Sequence, residues 1–248
     1  MKRSRSARVA AACLTVVAVL GASAALGSDE ERLRHAFEAE FQKHDFYREI
    51  KTYFPESYSA HIDELAAMAS NGATPSELRG VAQNYTSRIL ADGAEHAKHA
   101  PDSALRDWLT LSAVYVAALE ESVGGEICGK VMAGDPDYVP LGVARTQAEA
   151  GARAAAAMRA IGEGRRSNVA YPPLEASDEE RFFAAVKARG FTDEDIEDAA
   201  SRDTLNERSC GVLVAQFETL AEGDSASDVR LRGNFTPQML ASSSNPSD

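Results

Sequence analysis

Trp108-Leu109-Thr110-Leu111-Ser112-Ala113-Val114-Tyr115-Val116-Ala117-Ala118-Leu119 is the most apolar stretch of the chain beyond its first 28 residues. Apolar side chains fall on every side of a helix drawn through it, and a helix apolar all round is a buried one. Arg106 and Asp107 precede it and Glu120 and Glu121 follow. It is therefore too short, and too charged at its ends, to span a bilayer. Fully burying side chains of this kind stabilises a fold by roughly 1.5–3 kcal/mol each. The stretch predicts a central buried helix near residues 105–123.

The sequence on either side keeps a helical rhythm. Leu33, Phe37 and Phe41 recur every four residues, and Tyr58, Ile62, Leu65 and Ala69 follow the three-four spacing. So do Leu78, Val81, Tyr85 and Ile89, and later Cys210, Leu213, Phe217 and Leu220. Thr74-Pro75-Ser76-Glu77 reads as a capping box with Pro at the first helical position. Thr146–Glu149 and Ser177–Glu180 read as capping boxes too, and Thr192–Asp195 as a weaker one. Gly72, Gly162, Gly190 and Gly223 mark helix stops. Alternating β-branched and aromatic runs are missing, and 45 alanines in 248 residues favour helix. The expected fold is all-α, an irregular bundle of about eight or nine helices around the central one.

Gly125 and Gly129 place two bare positions on one helix face beside Cys128, a spacing that permits close backbone approach. Residues 28–223 read as a single helical domain. A sub-boundary is expected at 164–176, where Arg165-Arg166-Ser167-Asn168 and Pro172-Pro173 break the rhythm. Residues 224–248 read as a partly disordered C-terminal tail, ending Ser-Ser-Ser-Asn-Pro-Ser-Asp.

The chain opens with Lys2, Arg3, Arg5 and Arg8, runs without charge from Val9 to Leu26, and has no acidic residue before Asp29. Ala22-Ser23-Ala24 supplies the small-x-small pattern of a signal-peptidase site. Residues 1–27 therefore read as a secretory signal peptide, and the protein as periplasmic or secreted. The competing reading is an uncleaved anchor, because 18 residues just span a bilayer. Ala, Gly and Ser dilute its apolarity, which weighs against that. The leader holds four basic residues and no acidic one, so the remainder carries 22 basic against 38 acidic residues, a net charge of −16. Such a body repels nucleic acid and attracts basic surfaces. Arg outnumbers Lys 20 to 6, the composition of a GC-rich bacterial genome. On that reading Asn84-Tyr85-Thr86 and Asn234-Phe235-Thr236 are chance sequons.

Cleavage removes Cys13 and leaves Cys128 and Cys210. Two thiols in an oxidising compartment are expected to pair. The loop so closed has 83 residues, and its closure is worth at most ~4.5 kcal/mol in the chain-entropy account. The alternative is two buried free thiols that pack as small apolar side chains.

The chemistry-bearing residues are few. Glu120 and Glu121 sit in the last turn of the central helix, where negative charge opposes the helix dipole, and Glu126 follows closely. These three are the candidate catalytic carboxylates. His96 and His99 are the one histidine pair with ligand-like spacing, although His-Glu-x-x-His is missing. Tyr47, Tyr53, Phe54 and Tyr58 cluster as core or as a pocket lining. The chain lacks CxxC, G-x-S-x-G, GxGxxG and the phosphate-loop motif, so no cofactor is expected.

These features favour an exported, non-enzymatic binding module for a basic protein partner in the cell envelope, such as an inhibitor or immunity-like protein. A periplasmic hydrolase using helix-borne carboxylates or a His-bound metal is the alternative. A carrier of a small lipophilic ligand is the third reading.

Overall fold

In the computed structural model the stretch around Trp108 lies inside α5 (Asp102–Val123), which packs against α6 (Gly125–Met132), α7 (Val139–Arg145), α8 (Gln147–Arg166), α11 (Ser209–Glu222) and α12 (Ala226–Ser244). The structure describes residues 30–135, 137–201 and 204–244. The expected signal peptide, residues 1–27, and the last four residues lie outside them. Before α5 come α1 (Glu30–Phe41), α2 (Asp45–Tyr53), α3 (Pro55–Ser70), α4 (Pro75–Gly93) and a 3-10 segment (Ala94–His99). Between α8 and α11 come α9 (Ala176–Ala188) and α10 (Asp193–Ala200). The described residues contain no strand, so the fold is all-α. The number of helices among the described residues agrees roughly with the expected bundle, and Pro55, Gly124 and Gly134 stand at breaks between successive helices.

The central helix is not covered all round. Leu105, Trp108, Leu109, Ser112, Val116 and Leu119 are buried. Ser103, Asp107, Thr110, Val114, Ala117 and Glu121, which recur at helical spacing, are exposed, and Val114 shows 48% of its surface. An apolar composition therefore coexists with an open stripe along the helix.

One continuous core joins α1–α4 to the later helices. In the N-terminal part Tyr47 stacks on Phe41 at 4.0 Å, Phe41 faces His61 at 6.1 Å, and His61 stacks on Tyr85 at 3.9 Å. Of the expected aromatic cluster Tyr47 and Tyr58 are core, whereas Tyr53 and Phe54 are half-buried beneath the guanidinium groups of Arg166 and Arg165, at 4.5 and 5.3 Å.

Caps divide into those the sequence predicts and those it does not. Thr74 and Glu77 form the expected box, with Thr74 N–H donating to Glu77 at 2.8 Å and Glu77 N–H to Thr74 Oγ1 at 3.3 Å. Thr192 and Asp195 form another. Thr146 does not cap, because its hydroxyl donates back to the Gly142 carbonyl at 2.9 Å. The expected box at Ser177 is displaced: α9 starts earlier, and Asp178 accepts the Glu175 N–H at 2.9 Å. Gly72 and Gly190 have positive φ as helix stops require. Gly162 is no stop, because α8 runs through it to Arg166. A methyl group there would collide with the Tyr53 ring, and one at Gly164 with the His96 carbonyl. Close packing, not termination, explains both glycines.

Residues 167–175 form an irregular connection at the expected sub-boundary. It is pinned to the rest by Val169 O against His99 Nδ1 at 2.9 Å and by Tyr171 Oη donating to Ala100 O at 2.7 Å. The expected tail is instead mostly helix. Leu231 and Leu240 of α12 enter the core, and Arg232 is completely buried. Sparse apolar residues made this segment read as a tail. Polar contacts add to this packing: Arg230 holds the buried Asp178 through two hydrogen bonds of 2.7 Å, and Ser227 Oγ donates to Asp178 at 2.6 Å. Those bonds hold the Asp178 carboxyl far below the usual carboxylate range.

Candidate functional site

Cys128 and Cys210 are joined by a disulfide, with a Cα–Cα distance of 6.1 Å, and both residues are fully buried. The bond ties α6 to the first turn of α11. Gly125 completes the contact, because a side chain there would run into the backbone of Glu207. The start of α11 is thus locked beside the end of α5, and the cleft between these two helices is set.

That cleft measures about 540 Å³ and opens to solvent. Ala117, Glu120 and Glu121 of α5 form one wall, and Gly211, Val214, Ala215 and Glu218 of α11 form the other. Arg189 and Phe191, between α9 and α10, close one side. Gly211 lets Phe191 lie against α11, since a methyl group there would sit 3.2 Å from the ring. The Arg208 guanidinium covers the same ring at 5.2 Å.

The charges in the cleft are unequal. Arg189 reaches Glu218 at 2.5 Å and Glu222 at 2.6 Å, so those carboxylates are matched. Glu120 is half-buried, and no cation or hydrogen-bond donor meets its carboxylate among the described residues. Burial pushes its carboxyl above the ordinary range. Glu121 is exposed beside it and is likewise unpaired among the described residues. Among the described residues the lining contains no Ser, Thr, Cys or His, so these residues offer carboxylates over an apolar floor and no hydroxyl or thiol nucleophile.

The remaining sequence candidates lie elsewhere. Glu126 is exposed on α6 and bonds Lys130 at 2.6 Å, one turn along, which lowers its carboxyl. The three carboxylates close in sequence are therefore not one constellation. His96 and His99 sit on the 3-10 segment, and His99 Nδ1 is engaged by the Val169 carbonyl. Among the described residues no group of three metal-ligating side chains forms. No described helix is long and apolar enough to cross a membrane.

Nothing in the sequence ties Arg189, Phe191, Val214 and Glu218 to Glu120. They stand roughly 70 to 100 positions beyond Glu120, and their only local signals are a helix stop at Gly190 and the rhythm of α11. No protein-family profile, no characterised protein and no solved structure matches this chain.

Proposed function

We propose that the protein is an exported, non-enzymatic binding module that presents the α5–α11 cleft to a basic protein partner in the cell envelope. The observation that carries this reading is the Glu120 carboxylate, half-buried over apolar walls with Glu121 beside it and no cation of its own. A carboxylate so placed gains most from a cation that arrives with apolar surroundings, because the attraction strengthens as water leaves. The net charge of −16 beyond the leader adds long-range attraction for a basic surface. Export is supported by the basic-then-apolar leader and by the disulfide, a bond that persists in oxidising compartments.

The test is capture with the tagged protein from envelope extract at low and high salt, beside a Glu120→Lys variant. A basic partner is expected at low salt, depleted at high salt and by the substitution. Recovery of no partner, or of one indifferent to salt and to Glu120→Lys, counts against the proposal.

A further inference from the structure

The open stripe of α5 and the cleft are one continuous surface. Val114 and Ala117 are exposed on α5, Ala117 already belongs to the cleft wall, and Val214 and Ala215 face it from α11. Glu120 and Glu121 edge this apolar strip at its C-terminal end. At its other end Asp107 lies 3.7 Å from Arg159, so the unmatched negative charge is concentrated at one end. From Asp107 to Glu121 the stripe runs about 21 Å, the length of a helix of about 14 residues.

We infer that this groove seats a cationic amphipathic helix of the partner, with apolar side chains on Val114, Ala117 and Val214 and a Lys or Arg on Glu120. The inference rests on the binding-module reading and adds the partner's chemistry and its footing. Charge complementarity selects the occupant. A second copy packed with its twofold axis at this end would set Glu120 and Glu121 against the same carboxylates, and one packed antiparallel would set them against the Asp107 end, where Arg159 is already paired with Glu49 at 2.7 Å. Anionic lipid headgroups and nucleic acid carry the wrong sign. An amphipathic helix with apolar residues three and four apart matches the spacing of an exposed helical stripe.

The experiment uses the purified full chain with its disulfide intact, titrated calorimetrically with a synthetic Leu/Lys amphipathic peptide of about 14 residues. Two control peptides are a scrambled version with no apolar face and a version with Glu in place of Lys. The amphipathic peptide is expected to bind about tenfold or more tightly than either control. Ala117→Arg, which fills the floor and reverses the local charge, is expected to weaken it by about tenfold, and Val114→Asp similarly. Glu120→Gln with Glu121→Gln should weaken it about fivefold at low salt and little at high salt. Glu179→Gln with Glu180→Gln, on the exposed face of α9, should leave it unchanged.

Equal binding of the scrambled peptide, or binding indifferent to Ala117→Arg and Val114→Asp, overturns the groove while the acidic-module reading stands. No binding of any Lys-containing peptide overturns both. A dimer in sedimentation that Ala117→Arg dissociates assigns the groove to a second copy and overturns the partner helix.

Discussion

Arg232 and Asp102 stand 130 residues apart in sequence and form a two-bond ion pair between the last helix and the central one. The Arg232 guanidinium, fully buried, donates to the two Asp102 oxygens at 2.6 and 3.0 Å. It also donates to the carbonyls of Leu220 and Gly223 at 2.8 and 2.6 Å. Arg106 works from the other side, bonding Asp102 at 2.7 Å and the carbonyls of Ala221 and Gly223 at 3.2 and 2.9 Å. The last carbonyls of α11 are thus satisfied by two guanidinium groups in place of the left-handed glycine cap expected at Gly223, whose φ is −68°. Burial alone would raise the Asp102 carboxyl, but the bonds from Arg232 and Arg106 outweigh it and lower it.

Removing one partner of this link leaves the other uncompensated. Asp102→Ala strands a buried guanidinium and is expected to cost about 3 kcal/mol, and Arg232→Met to cost about 3–5 kcal/mol. The two effects should fall well short of adding in a double-mutant cycle. Urea unfolding of the four proteins measures this. Additive losses would mean that the pair is not energetically coupled.

His61 predicts a pH dependence. It is 2% exposed, stacked on Tyr85, and among the described residues neither ring nitrogen has a hydrogen-bond partner. Burial, with a smaller contribution from Arg88, lowers its pKa from 6.5 to about 4. Glu64 lies 3.8 Å from Nδ1 but is half-exposed. On acidification the unfolded chain takes up this proton before the folded one does. The stability is complete above pH 6.5 and falls between 6.5 and 4, by about 3 kcal/mol from this group. His61→Phe keeps a flat ring and should flatten the profile in that window. An unchanged slope would assign the acid sensitivity to other groups.

The disulfide is buried at both ends, so thiol labelling of the folded protein without reductant should leave Cys128 and Cys210 unmodified. Replacing Cys128 and Cys210 together by Ala should lower the urea midpoint, with a loss of at most ~4.5 kcal/mol from the released loop. Labelling of the native protein at either position would contradict the pairing.

The two glycines of α6 differ in a testable way. Gly125→Ala forces a methyl group into the Glu207 backbone and is expected to destabilise by about 1–3 kcal/mol. At Gly129 the nearest atoms, on Leu205 and Ser209, stand 3.5 Å away, an ordinary contact. Gly129→Ala should therefore be neutral or stabilising, as better helix propensity adds to a tolerated methyl group. Thermal melts of both variants measure the difference, and equal melting temperatures would contradict a close contact between Gly125 and Glu207.

The sequence by itself determined the helical class, the position of the central helix, and the boxes at Thr74 and Thr192. Each depends on residues within a few turns of one another, where apolar period and capping chemistry act directly. Tertiary structure alone decided that α5 keeps an open stripe, that Gly162 and Gly164 are contact points, and that residues 226–244 pack as a helix through Arg230 and Arg232. It also separated Glu126 from Glu120 and brought Phe191, Val214 and Glu218 to the same cleft. An apolar helix states how much surface it can bury, not which side a neighbour will cover. A charged residue states what it can bind, while its partner, here up to 130 positions away, is chosen by the packing of other helices.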